Sequence, residues 1–245
     1  GKPKKYKGYC TDVWFKEAMN YIENQKNQPF FCYISTNAPH SPFYVNDTYS
    51  DLYKVFPNVP SKEFYGMITN IDDNIGLLMN KLEDLKIADN TILIFITDNG
   101  SAMGEHKSKE INPYNAGMRG KKNSEYDGGH RVPFFIRWKN GNIQAGRDIS
   151  QITSHIDVLP TLIDLCNLED KYQTIFDGKS LVPLFNNESH RWSDRILITD
   201  SQRLQHPVKW RKSAVMSDKY RLVNGNELYN ICLLYTSDAA DDSYR

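Results

Sequence analysis

Apolar residues recur every three or four positions along two stretches of the chain, and this spacing predicts two amphipathic helices. The first helix is predicted to start at an N-cap, Asp12, and to end before Pro29. The second begins near Lys62 and carries the longest apolar stripe in the sequence, which consists of Phe64, Met67, Ile71, Ile75, Leu78, Leu82 and Leu85. A third, shorter helix is predicted from Asp157 to Leu168, with Pro160 in its first turn.

Apolar runs between the helices predict strands at residues 30–34, 91–97 and 132–138. The first run is continuous, which is typical of a strand that is covered on both faces. Strands that alternate with helices favour an α/β fold with a mixed, largely parallel sheet flanked by helices. After about Arg191 the pattern changes to short strands joined by tight turns, which predicts a small antiparallel sheet. We therefore expect an α/β domain over residues 1–190 and an antiparallel subdomain over residues 191–231.

Composition excludes several classes of protein. The 245 residues include 30 Lys and Arg and 30 Asp and Glu, so the formal net charge is zero, and bulk electrostatic binding of nucleic acid is not expected. No apolar run approaches the roughly 20 residues that a membrane span needs. The chain starts with glycine and shows no signal peptide, so we expect that it was processed or that its start is missing. Four widely spaced cysteines without a CxxC pair favour neither a zinc knuckle nor a disulfide scaffold: Cys10, Cys32, Cys166 and Cys232.

Asp98, Asn99 and Gly100 follow the strand predicted at residues 91–97. In open α/β sheets ligands bind beyond the carboxyl ends of the strands, and carboxylate and amide oxygens are hard ligands suited to Ca²⁺ or Mg²⁺. The sequence therefore predicts a candidate metal pair at this strand end. The alternative is an Asx-type turn, which favours the same residue types.

His40 lies between Pro39 and Pro42, just after the strand predicted at residues 30–34. The prolines restrict the backbone on either side of it. A histidine held in this way suits proton donation to a leaving group or the binding of an anion. The alternative is a loop histidine that bonds to a backbone carbonyl.

The long polar segment at residues 101–131 contains Lys121 and Lys122 in a glycine-rich loop, which we call the lysine loop (residues 119–130). There the two lysines could stabilise charge on an anion. The alternative is a solvated surface loop. The lysine loop, the metal pair and His40 are expected at the ends of three successive predicted strands, so they would share one rim of the predicted sheet. A cation, a basic side chain and a proton donor on one rim indicate hydrolysis of a phosphate or sulfate ester.

The order and spacing of these segments resemble the formylglycine-dependent sulfatases of the alkaline-phosphatase-like superfamily. The motifs that carry the resemblance extend from about residue 6 to residue 231, and they are residues 9–12, 38–42, 72–76, 89–100, 119–133, 155–161, 176–181 and 226–229. The resemblance implies that Asp98 and Asn99 are ligands of a calcium ion that orients the sulfate. It implies that His40 contacts the sulfate or the leaving oxygen.

Within the lysine loop, the resemblance implies that Lys122 is the catalytic lysine, and Lys121 takes a position that is often small in the family. Asp127 stands where the family has glutamate. His106, Lys121 and Arg203 are further candidates for contact with substrate, and the alternative for Arg203 is surface packing. His155 and Asp157 are expected to begin a helix and to pack.

The sequence departs from the family at both ends. No cysteine or serine has the Cys/Ser-x-Pro/Ala-x-Arg context of the formylglycine nucleophile, and the paired N-terminal aspartates that complete the metal site are absent. We therefore expect the N-terminal part of the fold, with the nucleophile, to be missing from this chain. Residues 232–245 resemble a translated sequencing adapter and are expected to be non-native.

The resemblance implies a calcium-dependent hydrolase of sulfate esters, acting on a sulfated small molecule or glycan. The alternatives are a phosphodiesterase or phosphonate hydrolase of the same superfamily, or a chain that is catalytically inactive as it stands. We expect no membrane span, and a periplasmic, secreted or lysosomal location for the full-length protein.

Overall fold

The computed structural model describes residues 4–56, 59–102, 114–141, 143–169, 174–188 and 192–231. The described residues form two compact units, one that extends to Thr91 and one that begins at Ile92. The domain boundary predicted at residue 190 stays a prediction. None of the described helices is both long and apolar enough to cross a membrane.

The first unit is helical. It contains α1 (Cys10–Gln25), α2 (Asp47–Ser50) and α3 (Lys62–Asp84), with single 3₁₀ turns at Asp51–Tyr53 and Ala88–Asn90. The Ser61 side chain caps α3 by accepting a hydrogen bond from the Phe64 N–H at 3.1 Å. As the periodicity predicts, Leu78 and Leu82 of α3 are buried.

Two predictions for the first unit are wrong. Helix α1 begins at Cys10 rather than after Asp12, and the Asp12 side chain is not its cap. Residues 30–34 form no hydrogen-bonded strand among the described residues. Phe31 and Tyr33 are 73% and 78% exposed, so this segment is not covered on both faces. An apolar run does not specify a pairing partner, and no described strand pairs with this one.

The second unit contains two antiparallel sheets. Strands β1 (Leu93–Ile96) and β2 (Phe134–Arg137) pair in the first sheet, with Leu93 opposite Arg137. The second sheet has the order β3-β4-β5-β6, from β3 (Leu197–Asp200), β4 (Ser213–Met216), β5 (Tyr220–Val223) and β6 (Glu227–Asn230). The predicted C-terminal antiparallel sheet is therefore present. The predicted parallel sheet is not observed among the described residues, because β1 and β2 run in opposite directions.

The described part of the second unit also contains three short helices. They are α4 (Asp127–His130), α5 (Val158–Leu165) and α6 (Val182–Phe185), and a 3₁₀ turn at His155–Asp157 leads into α5. The core is formed by Leu181, Leu184 and Phe185, against which Phe134 and Ile136 of β2 pack. As predicted, the segment at residues 155–157 begins a helix: the Ser154 and Asp157 side chains form a reciprocal capping box.

Candidate functional site

Asp98 and Asn99 lie directly beyond β1 in the second unit. The Asn99 amide donates a hydrogen bond to Asp98 Oδ1 at 2.8 Å, so the two side chains are adjacent. Gly100 follows, and a Cβ atom at that position would lie 1.8 Å from the carbonyl oxygen of Gly128. Only glycine therefore allows the segment after β1 to approach the backbone of the lysine loop so closely.

The lysine loop is bound to that segment by its backbone. The Gly100 N–H donates to the Gly129 carbonyl at 2.9 Å, and the Lys122 N–H donates to the Ser101 carbonyl at 3.0 Å. The structure thus brings Lys122 together with the segment that follows Asp98 and Asn99. The side chain of Lys122 is half-buried and that of Lys121 is exposed.

A cleft of about 450 Å³ lies beside the metal pair, within the second unit. Asn99 and Arg203 both line it, so the structure brings these two predicted residues into one site. The remaining lining comes from the lysine loop and the end of β3, and includes Asn123, Ser124, Glu125, His130, Asp200 and Gln202. Carboxylates, amides and a guanidinium in one cleft suit a polyhydroxylated or anionic ligand.

His130 forms part of the wall of this cleft, and both of its ring nitrogens are buried. Burial lowers the pKa of His130 from its ordinary value, the positive charge of Arg221 lowers this pKa further, and Asp127 opposes both. The ring is therefore neutral at physiological pH. The sequence assigned no role to His130, and its position after two loop glycines gave no signal of burial.

His40 lies in the first unit and lines a separate cleft of about 740 Å³ together with Tyr9, Cys10 and Tyr44. Its Nδ1 is 2.7 Å from the Ser41 carbonyl oxygen. A carbonyl only accepts, so Nδ1 carries a proton and Nε2 is the nitrogen available to a ligand. The backbone-bonded alternative is therefore present, and the role of His40 in proton donation stays a prediction. The bonds preceding Pro39 and Pro42 are cis.

Among the described residues, no cluster of three or more His, Cys, Asp and Glu side chains could hold a metal ion. Asp98 and Asn99 offer hard oxygen donors of the right type, whereas calcium takes roughly six to eight. The pair thus fits one part of a calcium site and would need further ligands. His106 lies outside the described residues. Cys10, Cys32 and Cys166 are free thiols.

The lysine loop also contacts side chains of the hairpin formed by β5 and β6, to which the sequence assigned no role. Arg221 forms a buried ion pair with Asp127, the loop residue that stands in the place of the family's glutamate. The Asn224 amide donates to Glu125 Oε1 at 2.8 Å. The one feature of the sequence that pointed to this hairpin was the motif at residues 226–229, which is part of the resemblance but was assigned no function.

Comparison with known proteins relates this chain to the sulfatases. The sulfatase profile matches residues 1–168, and the profile described as N-sulphoglucosamine sulphohydrolase, C-terminal, matches residues 120–242. The N-acetylgalactosamine-6-sulfatase of Sus scrofa is 32% identical over 178 residues, which are 71% of this chain and 32% of that protein. The human steryl-sulfatase is 29% identical over 197 residues, which are 79% of this chain and 32% of that protein.

Among solved structures, Ps i-CgsB in complex with k-i-k-neocarrahexaose superposes with a TM-score of 0.79 and 27% identity, over 94% of this chain and 50% of that one. The fold of the described residues is therefore that of the sulfatases. The chain spans about a third of the length of the curated relatives that it matches. Because the sulfatase profile covers more than half of the sequence, the chain belongs to the sulfatase family.

Proposed function

We propose that the residues of this chain serve the hydrolysis of sulfate esters. In the second unit Asp98, Asn99 and Lys122 are the groups proposed to hold the sulfate, and the resemblance of the sequence to the sulfatases assigns His40 of the first unit to the leaving oxygen. One relative is named N-acetylgalactosamine-6-sulfatase, and one structural neighbour was solved in complex with k-i-k-neocarrahexaose. On that basis the proposed substrate is a sulfated glycan rather than a simple aryl sulfate.

The observation that carries the proposal is the attachment of the lysine loop to the segment after β1. Two backbone hydrogen bonds, from Gly100 to Gly129 and from Lys122 to Ser101, hold the backbone of Lys122 against the segment that follows Asp98 and Asn99. A sulfate ester carries negative charge on its oxygens, and more of it develops on the leaving oxygen as the S–O bond breaks. Fixed positive charge at that place stabilises the transition state more than the ground state.

Each residue then has a distinct task. The Lys122 ammonium donates hydrogen bonds to a non-bridging sulfate oxygen. Calcium, when bound by Asp98, Asn99 and further ligands, supplies additional positive charge at the sulfate. The proposed task of His40 is at the leaving oxygen: its Nδ1 is bonded to the Ser41 carbonyl, so Nε2 is the ring nitrogen left to pass a proton to the alkoxide that forms when the S–O bond breaks.

The cleft beside Asn99 provides the proposed sugar site. Arg203 offers a planar donor pair for a charged substituent of the glycan, and Asp200 and Gln202 offer partners for hydroxyl groups. The nucleophile that the family implies, a formylglycine, has no matching cysteine or serine motif in this sequence. We therefore expect the isolated 245-residue chain to bind sulfate without turning over its esters.

The test compares sulfate-ester hydrolysis by the natural protein that contains these residues with that of its Lys122→Ala variant. We expect kcat to fall by roughly 10²–10³-fold, as when one preorganised donor to a developing oxyanion is removed. Lys219→Ala, which removes an exposed lysine of the same unit, is the matched control and should leave kcat unchanged. Equal activity of the Lys122→Ala variant would overturn the role of Lys122, and faster turnover of a phosphonate monoester than of any sulfate ester would overturn the sulfatase assignment.

A further inference from the structure

The hairpin formed by β5 and β6 holds the lysine loop through side chains, on top of the backbone contacts described above. Three residues of the hairpin reach three consecutive residues of the loop: Asn224 reaches Glu125, Glu227 reaches Tyr126, and Arg221 reaches Asp127. The contact of Glu227 is the most extensive. The Tyr126 hydroxyl lies 3.0 Å from Oε1 and 2.8 Å from Oε2 of the carboxylate.

Glu227 also binds the other end of the loop. The Arg119 guanidinium is 3.6 Å from Glu227 Oε2 and donates to the Tyr229 hydroxyl at 2.9 Å. The Tyr229 hydroxyl in turn donates to Glu227. The Arg119 guanidinium also stacks over the Tyr126 ring, 3.8 Å from its centroid. One carboxylate therefore connects Arg119, three residues before Lys122, with Tyr126, four residues after it.

The protonation states fit this arrangement. Hydrogen bonds from Tyr229 and Tyr126, together with the charge of Arg119, lower the pKa of Glu227, whereas burial opposes them. Burial first, and then the hydrogen bond to Glu227, raise the pKa of Tyr126. At neutral pH an ionised carboxylate thus accepts from neutral phenols and faces a cation. Hydrogen bonds with an ionised partner are stronger and more directional than neutral ones.

The network joins the two ends of the lysine loop, one on each side of Lys122 in the sequence. The Gly128 N–H donates to the Arg119 carbonyl at 2.8 Å, so the ends of the loop are joined by backbone as well as by Glu227. The ammonium of Lys122 is at the end of a flexible stem, and its orientation depends on how firmly its own backbone is held. A fixed backbone removes part of the ordering cost that a bound anion would otherwise have to offset.

We propose that Glu227 is a positioning residue, which acts through Tyr126 and Arg119 to hold the lysine loop in the conformation that presents Lys122 to a sulfate group. The inference rests on the proposed function of Lys122. It adds that the C-terminal sheet takes part in the sulfate site without touching the sulfate.

The sign of the expected effect separates positioning from simple electrostatics. Glu227→Gln removes a negative charge near the loop, and on Coulombic grounds alone this change strengthens the binding of an anion. If Glu227 positions the loop, the same change weakens binding. Glutamine keeps the size of the side chain and one acceptor oxygen, so the fold of the hairpin should be retained.

The experiment measures the dissociation constant of inorganic sulfate for the 245-residue chain by calorimetric titration, with and without added calcium. We expect Glu227→Gln to weaken sulfate binding about three- to tenfold, a typical size for coupling through a network. Glu169→Gln, at an exposed glutamate of the same unit, is the charge-matched control and should not weaken it. Amide hydrogen exchange at Lys122, Gly128 and Gly129 should be faster in Glu227→Gln and unchanged at Val215 in β4.

A double-mutant cycle with Lys122→Gln tests whether the effect of Glu227→Gln on sulfate binding depends on Lys122. Positioning requires that Glu227→Gln no longer weakens binding once Lys122 is replaced. An equal loss in both backgrounds, unchanged exchange in the loop, or tighter binding by Glu227→Gln would each overturn the proposal. A wild-type chain that binds no sulfate at all would instead overturn the proposed function, and the positioning role would fall with it.

Discussion

Arg195 and Asp157 form an ion pair in the interior of the second unit. Arg195 Nη1 lies 2.8 Å from Oδ1 and 2.7 Å from Oδ2 of Asp157, and the two side chains are 5% and 0% exposed. Asp157 also accepts hydrogen bonds from the N–H groups of Ser154 at 2.7 Å and Lys179 at 2.8 Å. One carboxylate therefore joins the start of α5 to two later segments of the chain.

Replacing Arg195 by methionine should destabilise the second unit severely. The substitution keeps much of the apolar volume but leaves the buried Asp157 charge without its cation, and the loss of one partner of such a pair costs about 3–5 kcal/mol. Lys54→Met is the control, because the Lys54–Asp51 pair at 2.7 Å is exposed and should contribute less than about 1 kcal/mol. Urea unfolding followed by circular dichroism measures both changes. Similar small losses for the two variants would show that burial does not matter here.

Asp12 should stabilise the first unit through two buried amides. Its Oδ1 accepts hydrogen bonds from Asn70 Nδ2 at 2.8 Å and from Asn74 Nδ2 at 2.9 Å, across the interface between α1 and α3. Asp12→Ala removes the acceptor that both amides share, and each buried donor left without a partner costs about 1–3 kcal/mol. Asp12→Asn retains an acceptor oxygen and should recover part of the stability. Thermal unfolding of the three proteins gives the comparison, and identical transitions would contradict it.

This contact also shows where sequence reasoning stops. The spacing of apolar residues predicted helix α3 and its buried leucines, since the period of a helix is a local property. It did not predict that Asn70 and Asn74 lie on the same buried face, because their polarity is satisfied by a residue about 60 positions away. For the same reason Asp12 was interpreted as a cap of its own helix.

The sheet and the candidate site show the same difference between local patterns, which the sequence predicts, and distant partners, which it does not. Residue patterns predicted the strands β1 and β2 but not their antiparallel pairing, because an apolar run does not specify its partner. The candidate residues Asp98, Asn99 and Lys122 could be identified from the motifs. The dependence of the lysine loop on Glu227 could not, since Glu227 is 101 residues from Tyr126 along the chain.

The stability of the second unit should fall as the pH drops below about 6.5, and His130 should be one cause. Burial and the charge of Arg221 lower the pKa of His130 from 6.5. The unfolded chain therefore takes up a proton at this histidine before the folded chain does, so its contribution to stability is complete above the unfolded pKa and is lost on acidification.

Urea unfolding between about pH 5 and pH 8 tests this contribution. In His130→Phe the decline of the unfolding free energy below pH 6.5 should be shallower than in the wild type, whatever the absolute stability of the variant. His206→Gln, at an exposed histidine of the same unit, should keep the slope of the wild type. A slope that His130→Phe leaves unchanged would assign the acid sensitivity to other groups.

Two glycines of helix α3 should respond in opposite directions to alanine. A Cβ atom at Gly66 would lie 2.9 Å from the backbone nitrogen of Ser50 in α2, whereas nothing lies within 4 Å of a Cβ at Gly76. Alanine improves helix propensity at both positions, so Gly76→Ala should stabilise the first unit by up to about 1 kcal/mol. In Gly66→Ala the backbone of α2 must move away, and such overpacking costs about 1–3 kcal/mol.

Thermal unfolding of the two variants, made in the same chain, separates packing from propensity because the substitution is the same. Equal stabilisation at both positions would mean that α2 does not pack tightly against α3 in solution.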